Sequence, residues 1–151
     1  MVLLAAVDSG VYKTLLALHI LSVIVAFAPV IVHPLVGRSL ADEDEGAGRR
    51  LSGVAAATQR TVHLPALLLA GILGFALVGS SDDHWKFSDP WVSVSALLWL
   101  VIGGVVGAVL IPAQKKVAGG DGGAESTASA ASGLVALLLV VVVFLMVVKP
   151  G

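Results

Sequence analysis

Histidine is the residue type of this chain best suited to chemistry, because a neutral imidazole binds haem iron and is a common ligand for copper. Three of the four histidines, His19, His33 and His63, lie in or beside long apolar runs, and His84 lies between two runs. A polar ring in apolar surroundings costs free energy unless it has a partner. These three residues are therefore candidates for ligand binding.

The spacing of the histidines divides them into two candidate sites. His19 and His33 are 14 residues apart, which is about 21 Å along a helix, so one metal ion cannot bind both. If the next apolar run returns across the membrane, His63 comes to the depth of His33, and the two form a candidate metal site or, alternatively, lie at the interface beside arginines. His19 is then alone. It either binds haem or copper or is hydrogen-bonded to Ser93, Ser95 or a backbone carbonyl.

Four apolar runs supply the elements that must position these histidines. Each is about as long as the roughly 20 helical residues that cross a hydrocarbon core. Hydrophobic residues make up 58% of the chain and charged residues 13%, and the latter lie almost wholly between the runs. The sequence predicts an all-α membrane protein, a four-transmembrane-helix up-and-down bundle in one membrane domain, residues 1–151. The predicted helices span about residues 11–37, 62–79, 91–112 and 133–148.

Composition excludes several classes of protein. A net charge of −1 leaves no basic surface for nucleic acid, so the predicted partner is the lipid bilayer. The absence of cysteine excludes disulfides and thiolate metal sites. No acidic residue lies within the four runs, which argues against a proton pump or a cation-coupled transporter. No Ser-His-Asp or His-Glu-x-x-His arrangement occurs either, and we assign no catalytic residue.

Small residues predict where the helices pack. Gly103 and Gly107 have a Gly-x-x-x-Gly spacing, which lets two helix backbones approach each other in lipid. Ala70, Gly71 and Gly74 offer a similar face on the second run. We predict packing at these faces inside the bundle; the face of Gly103 and Gly107 could instead join copies in a homo-oligomer or a larger membrane complex.

Prolines and tryptophans predict bends and boundaries. Pro29 and Pro34 should bend the first helix, because each removes a backbone N–H and frees a carbonyl. Trp85 and Trp91 fall near a predicted membrane boundary, as interfacial aromatic residues do, and Trp99 lies deeper, in the predicted core.

The lysine and arginine count predicts the orientation. Six of the nine lie on the side of the first and third connections, and three lie on the other side. Because positive residues favour the cytoplasmic side, both termini are predicted to lie outside.

Three segments resemble a family of bacterial predicted integral-membrane proteins of unknown function. They are KTLLALHILSVIVAFAPVIVHPLVG, FSDPWVSVSALLWLVIGGVVGAVLIPAQKK and FLMVVKP, and the resemblance spans essentially all four predicted helices. The most specific motifs are Leu18-His19, Asp89 to Trp91, and Met146 to Pro150. The family is part of a broader four-helix group that includes CopD-like copper-resistance proteins and HemJ-like protoporphyrinogen oxidases.

The resemblance implies that His19 occupies the position of a haem-binding first-helix histidine in HemJ-like proteins, whose expected second partner is a lysine near the membrane. Neither the second nor the third run contains lysine, and the only methionines are Met1 and Met146. We therefore expect a non-enzymatic, multi-pass protein of the bacterial inner membrane that binds haem or copper through His19. The alternatives are a HemJ-like porphyrin oxidoreductase and a structural accessory subunit of a larger membrane complex.

Overall fold

The structure, a computed structural model, describes residues 7–43 and 45–150. The first half of the chain forms two long helical stretches. Helix α1 spans Gly10–Glu43 and helix α2 spans Glu45–Thr58. A π-helical turn, Gln59–His63, then joins α2 to α3, which spans Leu64–Gly79. Ser9 caps α1, since its Oγ accepts a hydrogen bond from the N–H of Tyr12 at 3.1 Å.

The second half has the same two parts in the reverse order. Helix α4 spans Pro90–Val105, a second π-helical turn spans Val106–Leu110, and α5 spans Ile111–Ala118. Helix α6 spans Ala124–Val148. No strand occurs in the part of the chain that the structure describes.

The helices form a bundle that crosses a membrane. Large apolar side chains cover its outside: Ile72, Leu97 and Val140 each expose more than 60% of their surface, which water would disfavour and lipid does not. The protein is an all-α, multi-pass membrane protein built as a four-helix bundle, as predicted. Within the described residues, four helical stretches are long and apolar enough to span a bilayer: Gly10–Val30, Gly46–Gly79, Pro90–Ala118 and Ala124–Val148.

The helices extend well beyond the apolar runs. Helix α1 continues to Glu43, and α6 begins at Ala124. Arg49 and Lys115, which the orientation count assigns to connections, lie on α2 and α5, and these two helices pack against each other. Hydropathy marks the thickness of the bilayer rather than the end of a helix, and the Ala-rich segments outside it still favour helix.

Short connections make consecutive long helices antiparallel. Helix α1 packs on α3, while α4 and α5 pack on α6. The most deeply buried apolar side chains are Ile102, Leu110 and Val135, each no more than 1% exposed. They come from α4, the second π-turn and α6, so the core lies along the axis shared by these helices.

A proline follows each π-turn after one intervening residue. The N–H groups of Leu64 and Ile111 bond to carbonyls five residues back rather than four. The next residues, Pro65 and Pro112, have no N–H, and a proline ring crowds the carbonyl one turn before it. The wider π-turn relieves this crowding at both positions.

Trp85, Trp91 and Lys149 close one end of the bundle, which we call the tryptophan end. The indole rings of Trp85 and Trp91 meet at 90° with centroids 5.3 Å apart. The ammonium group of Lys149, just after α6, lies 3.9 Å from the centroid of the Trp85 ring. This cation–π contact ties the end of α6 to the connection between α3 and α4.

Candidate functional site

His19 is buried in α1 and hydrogen-bonded to α3. Its side chain is 7% exposed, and its Nδ1 lies 2.8 Å from the carbonyl oxygen of Ala70. A carbonyl can only accept a hydrogen bond, so Nδ1 carries the proton and the lone pair of Nε2 in the neutral ring is free to bind. Metal-binding histidines are oriented by a hydrogen bond of this kind. Of the partners considered for His19, the backbone carbonyl is the one observed.

Two glycines of α3 expose the carbonyls that accept ring N–H groups. Trp99 of α4 donates from Nε1 to the carbonyl of Leu67 at 2.8 Å. Leu67 and Ala70 each lie four residues before a glycine, Gly71 and Gly74. Since the Cβ of a helical residue points toward the preceding turn, a glycine leaves that carbonyl open to a second donor.

Neighbouring side chains occupy the space beside Gly71 and Gly74. A Cβ added at Gly71 would overlap the Trp99 ring, and one added at Gly74 would lie 3.3 Å from Cε1 of His19. Gly71 and Gly74 of α3 therefore do lie at a packing face, but not at the backbone approach that the sequence predicts. This face packs against two rings rather than against a neighbouring helix backbone.

Gly103 and Gly107 differ from the prediction of close packing inside the bundle. A Cβ at Gly103 would make an ordinary contact, 3.9 Å from Leu67, and one at Gly107 would meet nothing within 4 Å. The Trp99 ring, one turn before Gly103, fills the space between α3 and α4 and keeps their backbones apart. Gly107 is exposed, so its packing role stays a prediction for contacts with another chain.

A cavity of about 100 Å³ lies beside His19. Helices α1, α3, α4 and α6 all contribute to its lining, which is mostly apolar. Ser95 joins His19 as a polar side chain in the lining, and its Oγ is buried without a hydrogen-bond partner. The indoles of Trp91 and Trp99 and the thioether of Met146 also line the cavity.

The volume of this cavity is too small for haem, whereas a single metal ion would fit within it. Small-molecule sites have volumes of roughly 300–1,000 Å³, and a porphyrin cannot enter about 100 Å³ without displacing core side chains. A single ion needs far less space. The donors are a free imidazole nitrogen and a thioether, and thioether ligands favour copper(I). Among the described residues no group of three or more His, Asp or Glu could hold a metal ion, so this site would have few protein ligands.

Met146 is the lining residue that the sequence did not connect with His19. The two residues lie on the first and last helices, and their presence in the lining of one cavity depends on how α1 and α6 pack. The available signal was that Met146 is the one methionine inside an apolar run, since a thioether is the softest ligand that such a run can offer.

His63 makes a second hydrogen bond between these helices: whereas His19 of α1 donates to α3, His63 of the first π-turn donates to α1. Its Nδ1 lies 2.6 Å from the carbonyl oxygen of Val25. The residue four positions after Val25 is Pro29, which has no N–H, so the Val25 carbonyl lacks its helical partner. His63 donates the missing hydrogen bond. The presence of Pro29 in the sequence is enough to predict that the Val25 carbonyl lacks its helical partner. The sequence does not predict that His63 is the donor that replaces it.

His33 lies within electrostatic range of His63, far from the tryptophan end. Its Nδ1 is buried and has no hydrogen-bond partner. The structure thus places the predicted pair near each other and His19 elsewhere. No third histidine or acid completes a cluster in the described ranges, and a metal-binding role for the pair stays a prediction.

Comparison of this chain with family models, with curated proteins and with solved structures found no match. The resemblance to CopD-like and HemJ-like proteins therefore stays a prediction. The chemistry of the site follows from its own geometry.

Proposed function

We propose that this membrane protein binds copper(I) in the cavity beside His19, through Nε2 of His19 and the thioether of Met146. The observation that carries the proposal is the hydrogen bond from Nδ1 of His19 to Ala70. It places the proton on one ring nitrogen and leaves the other as a neutral ligand, in a cavity that Met146 also lines. Both donors suit a soft, singly charged ion.

The surroundings of the two donors also favour this ion. A positive charge in an apolar cavity is costly, and a doubly charged ion would need carboxylates that are not among the lining residues. The aromatic rings of Trp91 and Trp99 in the lining attract a cation and offset part of this cost. The proposed role is to hold copper(I) within the membrane, without catalysis by the protein.

Copper binding tests this function directly. We expect the detergent-purified protein to take up copper(I) under reducing conditions and His19→Ala to lose this binding, as measured by competition with a copper(I) chelator. Met146→Leu keeps a similar side-chain volume and should weaken binding by about tenfold or more, which corresponds to about 1.4 kcal/mol.

The matched control is His84→Ala, which removes an exposed histidine whose ring meets that of Trp85 edge-on. This variant should bind copper(I) like the unmodified protein. If His19→Ala binds as tightly as His84→Ala, the site is not at His19, and the His33 and His63 pair becomes the candidate.

A second candidate function is that of an accessory subunit that packs against another membrane chain. One observation favours it. Gly104 and Gly107 of the stretch Pro90–Ala118 are exposed, and an added Cβ at either would meet no atom within 4 Å. Small residues on a lipid-facing helix permit close approach of a second helix. A protein that takes up no copper(I) would favour this function over the first.

The proposed orientation places the tryptophan end outside and the α1–α2 and α5–α6 connections in the cytoplasm of a bacterial cell. Support comes from the six lysines and arginines on the cytoplasmic side against three on the other. A reporter that fluoresces only in the cytoplasm should be active when fused after Gly120 and silent when fused after Gly151. The opposite pattern would reverse the orientation and leave the bundle unchanged.

A further inference from the structure

A second, much smaller cavity lies where three helices are irregular. Its volume is about 10 Å³. Gln59 and His63 of the first π-turn, Val106 of the second π-turn and Pro29 of α1 all line it. Proline and π-turns are the places at which these helices depart from regular hydrogen bonding. Their convergence on one cavity points to a bound ligand.

Gln59 supplies independent evidence for this ligand. Its side chain is 2% exposed, and its Oε1 is buried without a hydrogen-bond partner. An unpaired acceptor is costly in any protein interior and more so inside a bilayer, where solvent cannot satisfy it. Where such an atom lies beside a cavity, as Oε1 of Gln59 does, an ordered water or an ion is the expected partner.

The chemistry of the cavity selects water over an ion. Gln59 offers Oε1 as an acceptor. His63 offers Nε2 as a second acceptor, because its Nδ1 carries the proton that is donated to Val25. The remaining lining is apolar, whereas hard cations need about six oxygen ligands. A water molecule has two O–H donors, and a cavity of this size holds one.

We propose that this cavity binds one ordered water molecule, which donates hydrogen bonds to Oε1 of Gln59 and Nε2 of His63. The water links two residues of the first π-turn. Through the hydrogen bond from His63 to Val25, it also links this turn to α1 beside Pro29. The buried, unpartnered acceptor of the first π-turn, Oε1 of Gln59, is thereby satisfied. This site is separate from the cavity beside His19 and does not depend on copper binding.

Replacement of Gln59 tests the water site. Gln59→Met removes the acceptor and keeps the side-chain length. Gln114→Met is the matched control, because Gln114 is 6% exposed and also has an unpartnered Oε1, yet it is not among the residues that line this cavity. If water is bound, Gln59→Met lowers the Tm of the purified protein by a few degrees, and Gln114→Met leaves it unchanged or raises it.

Equal changes in the two variants, or no decrease for Gln59→Met, would overturn the proposal. X-ray radiolysis gives a second measurement that does not depend on stability. A bound water yields hydroxyl radicals beside Phe27, which lines the cavity and is only 7% exposed. We expect oxidation of Phe27 in the unmodified protein and its loss in Gln59→Leu. An unlabelled Phe27 in the unmodified protein would exclude the water.

Discussion

Gly71→Ala is expected to lower the Tm of this protein by roughly 5–20 °C. The added methyl group would overlap the Trp99 ring, and the ring cannot move without breaking its hydrogen bond to Leu67. Overpacking of this kind costs about 1–3 kcal/mol, and the lost hydrogen bond costs about as much again; each kcal/mol shifts Tm by about 2–4 °C at this chain length. Thermal unfolding in detergent measures the change.

Gly107→Ala provides the matched control for this prediction. The substitution is identical, but the new methyl group would meet no atom within 4 Å. Because alanine is favoured over glycine in helices by about 1 kcal/mol, Tm should stay constant or rise. The methyl group added by Gly74→Ala would lie 3.3 Å from Cε1 of His19, so the Tm of this variant should fall between those of Gly71→Ala and Gly107→Ala. Indistinguishable Tm values for Gly71→Ala and Gly107→Ala would mean that Trp99 does not pack against α3.

His63→Leu is expected to destabilise the protein by about 1–3 kcal/mol, because it leaves the Val25 carbonyl without a donor in an apolar layer. Adding Pro29→Ala should recover part of this loss. Alanine at position 29 has an N–H that can bond to Val25 as in a regular helix. The free energy of unfolding of both single variants and the double variant measures the coupling, expected at about 0.5–3 kcal/mol.

Pro65→Ala combined with His63→Leu is the control for this rescue. Pro65 also removes an N–H from a membrane helix, but the carbonyl that it frees belongs to Thr61 and not to Val25. This pair should show no recovery. If Pro65→Ala rescues as well as Pro29→Ala does, His63 does not serve the Val25 carbonyl.

The sequence alone determined the class of fold, and it predicts the relative depth of His19, His33 and His63 along the helices. The length and apolarity of a run are sufficient to predict a membrane-spanning helix. Inside a bilayer no water is available, and a helix is the simplest structure in which every backbone N–H and C=O is hydrogen-bonded. Depth follows from the fixed rise per residue of antiparallel helices. The proximity of His33 to His63 and their separation from His19 could therefore be predicted without knowledge of any side-chain contact.

Only the tertiary structure decided which face of each helix packs toward the centre of the bundle. Lipid and protein core are equally apolar, so a membrane helix shows no alternation of polar and apolar residues from which its rotation could be predicted. For this reason the sequence could not rank Gly71 above Gly107, place Met146 and His19 in the lining of one cavity, or identify Gln59 as a buried acceptor. Each of these contacts depends on the rotation of a helix about its own axis, which is decided by ring packing at the glycines of α3 and by the carbonyls that proline and glycine leave open.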